Sequence, residues 1–219
     1  MSNTSKGPGE KGSKYWMQKL VNLDEGKILN EAIKEEDSSI GKITWLSPLE
    51  IKNYAELKTR RITGLEKADL SFWPDRELSW DGVGIDEKSK CILLFEAKAH
   101  TTETKSHCKA KNPDSILKIK NSMRETYQSL TTGMPNSHDY DEVVWFEKYY
   151  QLGNRLTFLA KLREQHFNVK LVLLNIAEDP THKSTRESEW KDHYKDVFQK
   201  MLGQNSTPTD VICMYINVG

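Results

Sequence analysis

Cysteine is scarce in this chain. The three residues, Cys91, Cys108 and Cys213, are odd in number, far apart and without a C-x-x-C pair. That spacing argues against a disulfide framework or a zinc ribbon and predicts a reducing, cytoplasmic setting. Net charge is missing too, since 32 Lys and Arg balance 32 Asp and Glu. No global field draws the molecule to nucleic acid or membrane, so any site for a polyanion has to be a local patch. No apolar run approaches the length of a bilayer span, and membrane partners are not expected. The polar, Gly-containing first 14 residues lack the apolar core of a secretory signal and read as a disordered arm. Internal repeats and an inter-domain linker are also lacking. What is present is 219 residues, 37% hydrophobic and 29% charged. That suits one sizeable α/β domain over residues 15–219 with a well-charged surface.

Periodicity predicts a helix over residues 15–36, from the spacing of Trp16, Leu20, Leu23, Ile28, Ala32 and Ile33. GKITWLS reads as a short extended piece. Ser47-Pro48-Leu49-Glu50 has the composition of a helix start, with Ser47 as cap and Glu50 returning a bond, and predicts a helix to about residue 57. Three extended segments follow, over 69–73, 78–86 and 91–99. Residues 105–111 form a basic loop, 113–130 a helix, and 139–166 a longer helix. VKLVLLNIA is a buried strand, 185–202 an amphipathic helix, and DVICMYINV a last strand. Strands grouped early, then helices alternating with strands, predict a mixed sheet flanked by helices.

The stretch WDGVGIDEKSKCILLFEAKAH, from Trp80 to His100, carries the chemistry. If Asp86 and Cys91 face each other across the turn Glu87-Lys88-Ser89-Lys90, antiparallel pairing sets Ile85 opposite Ile92, Val83 opposite Leu94 and Asp81 opposite Glu96. Gly82 and Gly84 then lie on the other face and leave room for Phe95 and Leu93. This register brings two carboxylates to roughly 5 Å at Cβ, and puts Lys98 on their face, roughly 6–7 Å along the strand. Facing acids repel unless a cation lies between them. Few hard oxygens, with room for water and phosphate, suit Mg²⁺ or Mn²⁺. An ammonium alongside can hold an attacking water or the charge developing on phosphorus. Metal-assisted phosphodiester hydrolysis needs these parts. A strand that merely ends in a solvated Glu and Lys is the plain alternative.

Asp81, fourteen intervening residues, then Glu96-Ala97-Lys98 resembles the core motif of the PD-(D/E)xK nuclease superfamily, the restriction-endonuclease-like fold. The wider string Phe72-Trp73-Pro74, Trp80-Asp81, Glu96 to His100, Tyr150-Gln151 and Asn154-Arg155 is similar to a poorly characterised bacterial branch of it. The resemblance covers roughly the central 130 residues. It implies an α-β-β-β-α-β core with extra helices at the N-terminus and after the E-x-K strand, and metal-dependent cleavage of nucleic acid, with DNA as the expected substrate. Trp80 stands where the motif name places proline. The literal Pro74-Asp75 is a decoy, because Asp75 does not share the register of Asp81. Asp81, Glu96 and Lys98 are the implied catalytic residues, with Asp81 and Glu96 as metal ligands.

Further candidates are weaker. Gln151 and Arg155, four apart on one helix, could orient a water or base and clamp a phosphate, with Asn154 alongside. Glu56 could add an acid to the metal, Glu103 could support Lys98, and His100 could touch phosphate. Each has an ordinary surface reading beside it. Lys105, Lys109, Lys111, Lys118, Lys120 and Arg124, against Asp114 alone, form a local basic patch able to track a phosphate backbone. Two-strand cleavage by this fold implies a homodimer. The other readings are a non-catalytic nucleic-acid-binding or interaction module that retains the fold, and an unrelated small-molecule metal enzyme.

Overall fold

The computed structural model describes residues 7–75, 77–134 and 138–219. Its centre is a five-stranded mixed sheet. The strands are β1 (Ile43–Ser47), β4 (Gly82–Asp86), β5 (Ile92–Lys98), β6 (Val169–Ala177) and β7 (Val211–Asn217), side by side in that order. The first three pair antiparallel, and β5, β6 and β7 run parallel. A separate two-stranded ladder joins β2 (Leu57–Lys58) to β3 (Ser79–Trp80). Helices cover both faces, as a sheet with parallel central strands requires. On one side lie α1 (Gly12–Asn22) and α2 (Lys27–Glu36), whose Trp16, Met17, Leu20, Leu29 and Ile33 pack on Leu93, Phe95, Val172 and Leu174. On the other lie α3 (Pro113–Thr131), α4 (Tyr150–Glu164) and α5 (Glu187–Leu202), packed on Leu94, Leu171 and Leu173. Among the described residues no helix is long and apolar enough to cross a membrane.

The hairpin register is the one expected from facing and turn length. Val83 pairs with Leu94 and Ile85 with Ile92. The turn is clasped by Asp86, which is fully buried. Its carboxylate accepts the Gly41 N–H at 2.7 Å and the Ser89 N–H at 2.6 Å. The two hairpin glycines serve more than the expected purpose. A Cβ on Gly82 would stand 2.0 Å from Met17 Cε and 3.4 Å from Phe95 Cβ, and one on Gly84 2.5 Å from Ile43 Cγ2. Gly82 makes room for α1 beside Phe95, and Gly84 admits β1 rather than Leu93.

Several expected elements are corrected. The single helix over 15–36 is two helices, because Asp24, Glu25 and Gly26 all take the left-handed backbone region between them. The helix α1 starts at Gly12, inside the stretch read as a disordered arm. There Gln18 Oε1 accepts the Gly9 N–H and Thr181 Oγ1 the Gly12 N–H; residues 1–6 of that arm lie outside the described residues. The helix expected after Ser47-Pro48 is one 3₁₀ turn, Glu50–Lys52. Ser47 ends β1 as a fully buried strand residue, and Asn53 and Tyr54 turn left-handed. The segment 69–73 is a turn, with Ser71 N–H and hydroxyl both donating to the Asp69 carboxylate. The long helix over 139–166 is broken at Tyr149. A π-turn, Val144–Lys148, precedes α4, and the loop at Ser106–Cys108 fills the break: Ser106 N–H donates to Lys148 O and Tyr150 N–H to Ser106 O.

Candidate active site

The strand expected over 78–86 bends at Asp81. Trp80 belongs to the small ladder and Gly82 to the large sheet. At the bend the Asp81 N–H still donates to Phe95 O at 3.1 Å. Its carboxylate substitutes for a missing ladder acceptor, taking the Ala97 N–H on Oδ2 at 2.9 Å. Asp81 therefore lies beside the Glu96 end of β5. Glu96 and Lys98 project from β5 toward α4, where Arg155 meets them. Lys98 Nζ donates to Glu96 Oε1, and Arg155 Nε donates to Glu96 Oε2 at 2.6 Å. Arg155 also donates to Ser79 O at 3.1 Å and lies over the Trp80 ring, 4.7 Å from its centroid. Trp80 in turn donates from Nε1 to Thr59 Oγ1 at 3.2 Å. The residue at the motif's proline position is thus the platform for the guanidinium, a role the linear spacing gave no sign of.

The cluster gathers two anions and two cations, with Glu96 only 4%, Lys98 8% and Arg155 5% exposed and Asp81 half-buried. Burial raises the Asp81 carboxyl to about 6, and the Glu96 charge adds to this; Lys98 and Arg155 only partly offset it. Burial pushes Glu96 up as well, but Arg155 and Lys98 outweigh it and hold Glu96 below the ordinary glutamate value. For Lys98 burial acts downward and the two carboxylates prevail, so its ammonium is held above the usual lysine value. The acids are therefore split, one firmly ionised and one poised near neutrality, a pattern that marks functional sites.

Asp81 and Arg155 open onto a cleft of about 660 Å³, walled by Trp73, Pro74, Glu77 and Leu78 on one side and by Ser106–Ser115 residues on the other. A smaller hollow of about 150 Å³, lined by Ser13, Lys14, Gln18, Pro48 and Tyr54, adjoins it; Asp81 and Glu56 line both.

The other candidates are sorted by this geometry. Gln151 and Asn154 line the cleft, and Ser106 Oγ accepts the Gln151 N–H at 2.8 Å. Arg155 reaches the cleft lining, yet it is buried at 5% and donates to Glu96 and to Ser79 O, so it positions Glu96. Glu56 is not on a helix, but the loop before β2 still brings it to both hollows. His100 does not reach the cleft lining. It caps the 3₁₀ turn Thr101–Thr104 by accepting the Thr102 N–H on Nδ1, and burial lowers its basicity. Glu103 accepts from Ser13 Oγ at 3.1 Å, pinning α1 to the end of β5. In the basic patch, Lys109 and Lys111 line the cleft, whereas Lys120 and Arg124 pair with Glu142. Asp75 is exposed.

The donor set fits a hard divalent cation. Asp81 and Glu96 offer carboxylate oxygens, and a cation there would offset the burial that lifts Asp81 and, after it, the repulsion from Glu96. Among the described residues no group of three or more His, Cys, Asp or Glu could hold a metal by itself. An ion held by two carboxylates completes its shell with water and phosphate, the ordinary habit of Mg²⁺. Each Glu96 oxygen accepts one charged donor, so a cation there would use a remaining lone pair and share Glu96 with Lys98 and Arg155. The chain matches no family model, no curated protein and no solved structure.

Proposed function

We propose that this chain is a metal-dependent nuclease of restriction-endonuclease-like type that hydrolyses phosphodiester bonds in nucleic acid, with DNA the favoured substrate. The observation that carries the reading is the convergence of Asp81, Glu96 and Lys98 at one end of the hairpin, with Asp81 lining a cleft edged by Lys109 and Lys111 and the other two closed off beneath it. The order β1, β4, β5, α4, β6 supports the core, with α3 as an insertion. The leading helices are α1 and α2, not the segment after Ser47, and the first core strand is β1.

Asp81 and Glu96 would hold Mg²⁺ or Mn²⁺, which when bound supplies a water of lowered pKa and neutralises charge at the scissile phosphate. Arg155, seated on Trp80, fixes the rotamer of Glu96. Lys98, kept cationic by the two acids, donates to the water or to the phosphoryl oxygen as charge develops. Asp81 has to be ionised to serve as ligand, and with its carboxyl raised to about 6 in the metal-free fold, protons compete with the cation below that pH. The test is cleavage of labelled oligonucleotides with Mg²⁺ or Mn²⁺, and with EDTA, by wild type, Asp81→Ala and Lys98→Ala. Loss of cutting in both variants with unchanged circular dichroism is expected; equal cutting by all three overturns the assignment.

One observation favours a second reading, the non-catalytic module. The cluster is charge-balanced as it stands, two anions against two cations. That reading requires nucleic-acid binding without metal-dependent turnover on any substrate.

A further inference from the structure

The cleft constrains which nucleic acid can reach the acids. Glu96 and Lys98 lie beneath its floor, nearly closed to solvent, and Asp81 lines both the larger and the smaller hollow. A scissile phosphate must therefore descend between two walls. The wall carrying Trp73 is stiff: its ring packs edge-on against Phe158, with centroids 5.5 Å apart, and Phe72 does the same at 5.1 Å. The opposite wall is tied into the helix break by the Ser106 and Cys108 backbone bonds. About 660 Å³ is the scale of a small-ligand site. It suits one or two unpaired nucleotides, whereas a duplex is a stiff cylinder with its phosphates outside.

From this we infer that the cleft admits a single, unpaired strand, which passes Asp81 from the larger hollow into the smaller one. This deepens the nuclease reading and rests on it for the chemistry alone. Lys109 and Lys111 are exposed at the rim, and among the described residues neither joins an ion pair. They lie two residues apart in a loop, roughly 6–7 Å if extended, which suits successive phosphates of a stretched strand. Tyr150, half-buried in the lining, gives a face on which a base can stack, and Asn154 and Gln151 offer polar groups to its edge. The lining has the mixture that strand-binding grooves use: cations for the backbone, an aromatic for the bases.

The experiment uses the full chain and three fluorescein-labelled probes built on one strand: the single-stranded DNA, its RNA counterpart, and the blunt duplex formed with the complementary DNA strand. Fluorescence polarisation in EDTA measures affinity, and cleavage is then measured in Mn²⁺. A single strand is expected to bind about tenfold tighter than the duplex, the worth of one stacked base. Lys109→Ala/Lys111→Ala should keep its melting temperature but lose about 1.4 from the slope of log affinity against log salt, two phosphates at about 0.7 each. Equal affinity for strand and duplex, or a salt slope untouched by the double substitution, overturns the inference. Efficient duplex cutting beside equal binding would leave the nuclease reading standing without it. A strand preference with no cutting of any probe would sink the nuclease reading and keep the strand inference, with the DNA and RNA arms deciding which sugar is accepted.

Discussion

Asp81→Asn should make the protein more stable at neutral pH. The carboxyl rises from its ordinary 3.8 to about 6 in the folded chain. At 1.36 kcal/mol per pKa unit, holding it ionised above pH 6 costs about 3 kcal/mol. The side chain is half-buried, and solvent on its open side reduces this to about 1–2 kcal/mol. The sign follows from proton counting. Between 3.8 and about 6 the folded state binds more protons at this residue than the unfolded state, so stability falls as pH rises through that window and is level above it. An amide does not titrate and can still accept the Ala97 N–H. At pH 7.5 the variant should therefore melt about 2–8 °C higher than wild type, and the two should converge near pH 4. Urea or thermal unfolding at intervals from pH 4 to pH 8 measures the difference, in which groups common to both proteins cancel. Curves that stay parallel, or a variant less stable at pH 7.5, would refute the view that Asp81 is lifted by burial beside Glu96. Millimolar Mg²⁺ should narrow the gap at pH 7.5 by stabilising wild type alone.

Other outcomes follow from the same geometry. Arg155→Met leaves Glu96 short of a partner and should cost about 3–5 kcal/mol in urea unfolding; Arg155→Lys should recover little, since one ammonium cannot serve Glu96 and Ser79 O together. Gly84→Ala drives a methyl to 2.5 Å from Ile43 Cγ2. It should lower stability by about 1–3 kcal/mol, with part regained when Ile43→Val is added. If cleavage is found, the Mg²⁺ concentration giving half-maximal rate should rise as pH falls below about 6, because protons compete with the cation for Asp81, and a concentration unchanged from pH 5 to pH 8 would remove Asp81 from the metal site.

The hairpin was legible in the sequence because only one register puts Ile85, Val83, Ile92 and Leu94 on one face, and that register carries the two acids with it. The apolar runs of β6 and β7 were legible because buried strands tolerate little else. Ser47-Pro48-Leu49-Glu50 misled for a local reason: its capping chemistry is equally at home where a strand ends, and Ser47 is drawn into β1 by burial. The break in the first helix rests on Asp24 and Glu25 turning left-handed beside Gly26, which composition only hints at. Arg155 and Gln151, spaced as neighbours on a helix face, read either as a pair reaching for water and phosphate or as ordinary surface residues. That the helix would press Arg155 onto Trp80 and Glu96 is a property of the packed sheet, and no local pattern reports it.

Asp86 gives the molecule an unguarded flank. Five residues from Asp81 along an extended strand, it stands roughly 17 Å from the acid that would do the chemistry, and it touches no cleft wall. Yet its carboxylate gathers the chain of the connecting turn and the lead-in to β1. A slip of a single position there would send Asp81 to the opposite side of the sheet. Damage surveyed by distance from the cleft would pass over this residue, although it is where a distant lesion could silence the whole cluster.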